Sequence, residues 1–131
     1  MIISLLKNHS YKLAFIWALV IFGLCSMPGR FIPSVSWLEI LSFDKWVHAG
    51  IFFTLLGLLE IAVIENGQSK NLAYVYFILC IMYGGSLELM QAKVFSDRSA
   101  DWYDVIANSF GCVMALLLNG KIKHLVFKES P

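Results

Sequence analysis

The stretch FDKWVHAGIFFTLLGLLEIAVI, from Phe43 to Ile64, decides how this chain is read. A helix needs about 20 predominantly apolar residues to cross a hydrocarbon core, and this stretch is long enough. Yet it carries Asp44, Lys45 and His48 at one end and Glu60 near the other. Ionisable groups are costly inside a bilayer, and where they occur they face the interior of a bundle or a wet cavity. The segment therefore reads as a membrane span with a polar face at its start.

Three more apolar stretches lie around it. Leu13 to Met27 has no charged residue, follows Lys7, His9 and Lys12, and ends at Pro28-Gly29, a turn signal that stops a helix. Leu72 to about Met90 forms the third stretch and about Trp102 to Leu118 the fourth, which is short and carries Asp104 and Asn108. The polar run Glu65 to Asn71 separates the second from the third. The first stretch is expected to be a retained helix and not a cleaved signal peptide, because no small-x-small cleavage site follows it. Leu24 likewise argues against a lipoprotein reading of Cys25. Spanning segments must satisfy their backbone hydrogen bonds internally, so all four should be helical. The expected fold is all-α: one domain over residues 1–131, a four-helix transmembrane bundle with spans at about 13–27, 43–64, 72–90 and 102–118.

Composition agrees. Hydrophobic residues make up 59% and charged residues 15% of the chain, against roughly 45–50% and 25% in soluble proteins. A net charge of +1 without a basic stripe excludes a nucleic-acid partner. Cys25, Cys80 and Cys112 lie far apart in apolar runs and read as small buried hydrophobes. Neither a metal-ligand set nor a cofactor box is evident in the spacing.

Basic residues set the expected orientation. With the N-terminus inside, Lys7, Lys12, Lys70, Lys121, Lys123 and Lys128 face the cytoplasm, and Arg30, Lys45, Lys93 and Arg98 face out. The excess favours cytoplasmic N- and C-termini. Trp37, Trp46 and Trp102 then fall at the outer interface, where aromatic belts form. Glu60 falls near the inner end, where it would snorkel to the interface or pair with Lys70. Gly84-Gly85 and Gly111 would let helices approach closely.

In this topology the polar residues share one side. Asp44 and His48, like Asp104 and Asn108, are i,i+4 pairs; Glu88 and Gln91, like Asp101 and Asp104, are i,i+3 pairs. Each pair shares a helix face. Three helices are thus expected to line a single pocket open to the outside.

The pattern Asp44-Lys45-x-x-His48, Glu88-x-x-Gln91, Arg98-Ser99 and Asp104-x-x-x-Asn108 with Gly111 resembles the VanZ-like family of small bacterial membrane proteins. The similarity runs from about Ser26-Met27-Pro28 to the end of the fourth span. It implies a multi-pass protein of the bacterial plasma membrane, and the family's namesake is associated with resistance to the glycopeptide teicoplanin. By motif match, Asp44, Lys45, His48, Glu88, Gln91, Arg98, Asp104 and Asn108 carry over as the polar signature. Asp97 departs from it, since a small residue, often Gly, is expected before the Arg; Asp101 is an addition.

Such a pocket suits several chemistries. Arg98 could hold a phosphate or carboxylate in two parallel hydrogen bonds, which fits an anionic lipid or an envelope glycopolymer. His48 could exchange a proton, with Asp44 one turn earlier orienting it, and Glu88 could act as an acid or base. The structural alternative has Asp44 and Lys45 as interfacial anchors, Asp101 and Asp104 stabilising a helix N-terminus, and Arg98 neutralising Glu88 or Asp104. Function is therefore expected to be head-group binding or modification linked to glycopeptide resistance. A membrane-embedded acid–base enzyme and a small transporter are the alternatives, and the sequence carries no indication of oligomeric state.

Overall fold

A computed structural model describes residues 1–31 and 42–128. Four helices follow in order: α1 (Ile2–Ser26), α2 (Phe43–Glu65), α3 (Lys70–Lys93) and α4 (Trp102–Phe127), with a single 3₁₀ turn at Gly29–Phe31. There is no strand among the described residues. All four helices are long and apolar enough to cross a membrane, so the all-α, four-span expectation holds. The expected outer-interface position of Trp37 lies outside the described residues.

Local chemistry explains where the helices stop and start. α1 ends at Met27, whose extended backbone (φ −62°, ψ 129°) is the conformation that a following Pro28 demands. α2 closes in a Schellman motif: Gly67, at φ 60°, donates its N–H to Ile64 O, and Gln68 donates to Val63 O. The Ser69 hydroxyl accepts from Asn71 N to cap α3. The Asp101 carboxylate accepts from Tyr103 N at 2.9 Å to cap α4.

Two helices run beyond the apolar stretches that marked them. α1 starts at Ile2 and not near residue 13, and α4 continues to Phe127 and not to 118. Hydropathy marks only the apolar part of each helix, whereas the helix itself continues past it with Lys7, Lys12, Lys121 and Lys123 along it. The α1 extension is interrupted at His9 (φ −134°, ψ 19°), beside Ser10, whose hydroxyl donates to the carbonyls of Leu6 and Lys7.

α2 is the most apolar of the four, and it is the central one, packing on all three others and most extensively on α4. Phe52, Leu55, Leu56, Ile21, Leu87, Cys112 and Ala115 form the buried core. Close approach between α2 and α4 depends on Gly111, where an added Cβ would stand 2.0 Å from Ala49 O. Gly84 is similarly enclosed: an added Cβ would stand 2.9 Å from Asn108 Nδ2. Gly85 has nothing near it and is not a contact glycine, because it is one position off the packed face. The three cysteines are buried and free, as expected. Outward-facing Phe15, Leu19, Ile78, Met82, Phe110 and Leu117 are exposed, which suits contact with lipid tails.

The bundle has two distinct ends. At one, Lys7 lies over the Phe127 ring, and Tyr76 donates to Tyr11, which in turn donates to Gln68. At the other, Gly29 N reaches Ser96 O, and Lys45 of α2 reaches Asp101 at the start of α4. This second end is the polar rim.

Candidate functional site

Lys45 organises the rim. Its ammonium donates to Asp44 Oδ2 at 2.9 Å, Asp101 Oδ2 at 2.5 Å and Asp104 Oδ1 at 2.5 Å. An ammonium has three donors, and here each has a carboxylate. Lys45 is therefore the hub of an ion network linking α2 to α4 and more than an interfacial anchor. Asp101 belongs to this network. The Lys45 hydrogen bond, followed by that from Tyr103 N–H, holds its carboxyl below the usual range.

Asp104 connects this hub to a second one. Its Oδ2 lies 3.4 Å from His48 Nε2, while His48 Nδ1 lies 3.0 Å from Asn108 Oδ1. Asp104 and Asn108, not Asp44, hold the imidazole, because Asp44 turns toward Lys45. Glu88 comes in from α3, with 5% of its surface exposed, and accepts from the backbone N–H of Asp101 at 3.0 Å. A carboxylate on one helix thus fixes the first residue of the next. Side chains of α2, α3 and α4 meet in this cluster, but the cavity above it is lined from α1, α2, the 97–99 loop and the start of α4, and not by Glu88, Gln91 or Asn108.

A cavity of about 480 Å³ opens over this cluster, lined by Asp44, Lys45, His48, Asp97, Arg98, Ser99, Asp101 and Asp104 with Leu24 and Cys25 of α1. Asp97 and Asp101, whose membership the sequence left undecided, both line it. Arg98 also lines it, but has no ion-pair partner among the described residues. It does not neutralise Glu88 or Asp104, because Lys45 has already taken Asp104. Asp97 adopts the left-handed conformation at φ 56°, which accounts for the small residue expected there. The same loop explains Gly29, where an added Cβ would meet Asp97 O at 2.0 Å.

Two further sequence-derived readings change. Gln91 lies near the cluster in sequence but its amide donates to Cys25 O at 3.1 Å, a buried tie between α3 and α1. Glu60 neither snorkels nor pairs with Lys70. It is 0% exposed, its neighbouring polar side chain is Asn119 of α4, and Lys70 is exposed. About 18 Å of helix, at 1.5 Å per residue, separates Glu60 from His48, and the face between them carries Phe52, Leu55 and Leu56. Trp17 of α1 donates to Ile51 O at 2.9 Å and braces α1 on α2.

Two sets of side chains could hold a metal ion: His48, Glu88 and Asp104, and Asp44, Asp101 and Asp104. Within each, one ligand atom per residue lies within 4.8 Å of the others. Spacing along the chain does not reveal the first set, because its three members sit on three different helices. A second cavity, of about 340 Å³ and mainly apolar, lies against α3 and α4, lined by Met82, Gly85, Leu89, Trp102 and Val105. It shares Glu88 and Asp101 with the polar cluster. No family model, curated protein or solved structure matches the chain.

Proposed function

We propose that this protein is a VanZ-like integral membrane protein whose polar cavity faces the outside of a bacterial plasma membrane, with both termini in the cytoplasm. The cavity binds the anionic head group of a membrane lipid or of a lipid-borne envelope polymer. The observation that carries this reading is Arg98: it lines the cavity without an ion-pair partner among the described residues, while Lys45 is fully engaged by carboxylates. A guanidinium so placed is suited to two-point contact with a phosphate or carboxylate. The neighbouring apolar cavity sharing Glu88 and Asp101 supports a ligand with a hydrocarbon tail. The resemblance to VanZ-like proteins extends the proposal to glycopeptide resistance of the teicoplanin type.

An acid–base enzyme acting on the same head group is the second reading, supported by the His48–Asp104 contact with Glu88 close by. A transporter has less support, since apolar side chains fill the path between His48 and Glu60.

The test is lipid co-purification followed by mass spectrometry. Wild type should retain an anionic phospholipid; Arg98→Gln should lose it at unchanged membrane level, with Arg98→Lys between them. Equal retention by all three contradicts the reading. Loss of teicoplanin protection with Arg98→Gln, in cells that depend on the protein, would tie binding to resistance.

A further inference from the structure

The described residues around the cavity carry more negative charge than they neutralise. Asp44, Asp97, Asp101 and Asp104 line it against Lys45 and Arg98, and Glu88 stands beside His48 and Asp104 below it. Two carboxylates of this group are deeply placed, Glu88 at 5% and Asp104 at 8% exposure. Glu88 has no cationic partner among the described residues, and only one of its oxygens accepts a hydrogen bond, from a backbone amide. Two nearly buried carboxylates, Glu88 and Asp104, thus stand with His48 in one tight group, and a cation among them would offset their mutual repulsion.

The geometry points to a divalent-cation site formed by His48, Glu88 and Asp104. His48 is arranged as a metal ligand. Its Nδ1 faces Asn108 Oδ1 at 3.0 Å, where an Nδ1–H would donate, and Nε2 is the ring nitrogen turned to Asp104. Metal-bound histidines commonly donate their second ring N–H in this way. The 3.4 Å from Nε2 to Asp104 Oδ2 matches the edge of a tetrahedron around Zn²⁺, about 3.4 Å for ligand bonds of about 2.1 Å. Glu88 supplies the third donor from within 4.8 Å. One imidazole and two carboxylates suit Zn²⁺ or Mn²⁺ better than Mg²⁺ or Ca²⁺, which prefer oxygen donors throughout.

The other acidic set does not compete. The Lys45 ammonium already contacts all three of its carboxylates and serves as their cation. At the His48 set an open coordination position would face the cavity that His48 and Asp104 line. A bound ion would also reduce the negative charge that an incoming anion meets. The site goes beyond head-group binding and does not depend on it, since the ion is held by protein groups alone.

The test uses the full-length, tag-free protein in detergent, stripped with chelator and titrated calorimetrically with ZnCl₂ or MnCl₂. One ion should bind per chain. His48→Gln, Glu88→Gln and Asp104→Asn should each weaken binding by at least about 100-fold, and Asn108→Ala by about 10–100-fold, the range for partners that orient a metal ligand. Glu65→Gln, at the far end of α2, should bind as wild type. Helicity and chromatographic profile identify variants that fail to fold. If the three ligand variants misfold, the wild-type titration and Asn108→Ala decide. Absence of binding to folded wild type at millimolar ion overturns the site, as does binding unaffected by Asn108→Ala. A loss with Asp44→Asn as large as with Glu88→Gln would place the ion at the Lys45 set and overturn this assignment. None of these outcomes bears on lipid retention by Arg98, so the two proposals can fail separately.

Discussion

Asp104 divides its two oxygens between Lys45 and His48, and most of the polar rim depends on that division. Its neighbour Asp101 gives a pH signature. Lys45 and the Tyr103 N–H favour the ionised carboxylate, so its pKa is lower folded than unfolded. A depressed folded value contributes stability above the unfolded pKa, about 3.9 for aspartate, and loses it as pH falls from there through the folded value. Wild type should therefore melt above Asp101→Asn at neutral pH, with the gap closing as the pH falls below about 4. A gap that persists in acid counts against the ion network. Asp97 offers a backbone test. At φ 56° it bears a left-handed penalty that glycine avoids. Asp97→Gly should raise stability by about 0.5–1 kcal/mol, measured by denaturant unfolding, and Asp97→Asn should gain less. Asp44, His48, Glu88, Asp104 and Asn108 could be placed from sequence because helical phase assigns a face. Glu60 and Gln91 could not, since their environments depend on which neighbour covers that face.

At the scale of elements, the α2–α4 contact is the most extensive in the bundle, and Gly111 permits its close approach. An added methyl there meets the Ala49 carbonyl, so Gly111→Ala should cost about 1–3 kcal/mol, the usual range for overpacking. Gly120→Ala, on the same helix with nothing near its Cβ position, should be neutral or stabilising by up to about 1 kcal/mol. Similar losses at both positions would mean that helix propensity, not contact, governs the effect. The four helices were evident as apolar stretches because hydrocarbon imposes a length. Their full extents were not, since α1 and α4 continue where hydropathy no longer reports on helix. The pairing of Gly84 and Gly111 with close neighbours, and the isolation of Gly85, also needed the packed arrangement.

For the whole molecule, the proposed orientation predicts which end an impermeant thiol reagent reaches in intact cells. The native cysteines are buried, so background labelling is low. Ser99→Cys at the polar rim should react from outside, whereas Glu65→Cys at the opposite end should react only after permeabilisation. The reverse pattern would turn the cavity to the cytoplasm. In either orientation, Lys45 and Asp104, 59 positions apart in sequence, meet at that rim and join α2 to α4. A double-mutant cycle with Lys45→Met, Asp104→Asn and the combined variant, followed by unfolding in detergent, measures this meeting directly. A coupling of at least about 1 kcal/mol is expected, the double variant being more stable than the sum of the single losses implies. Losses that add to within about 0.3–0.5 kcal/mol, as distant sites do, would contradict it.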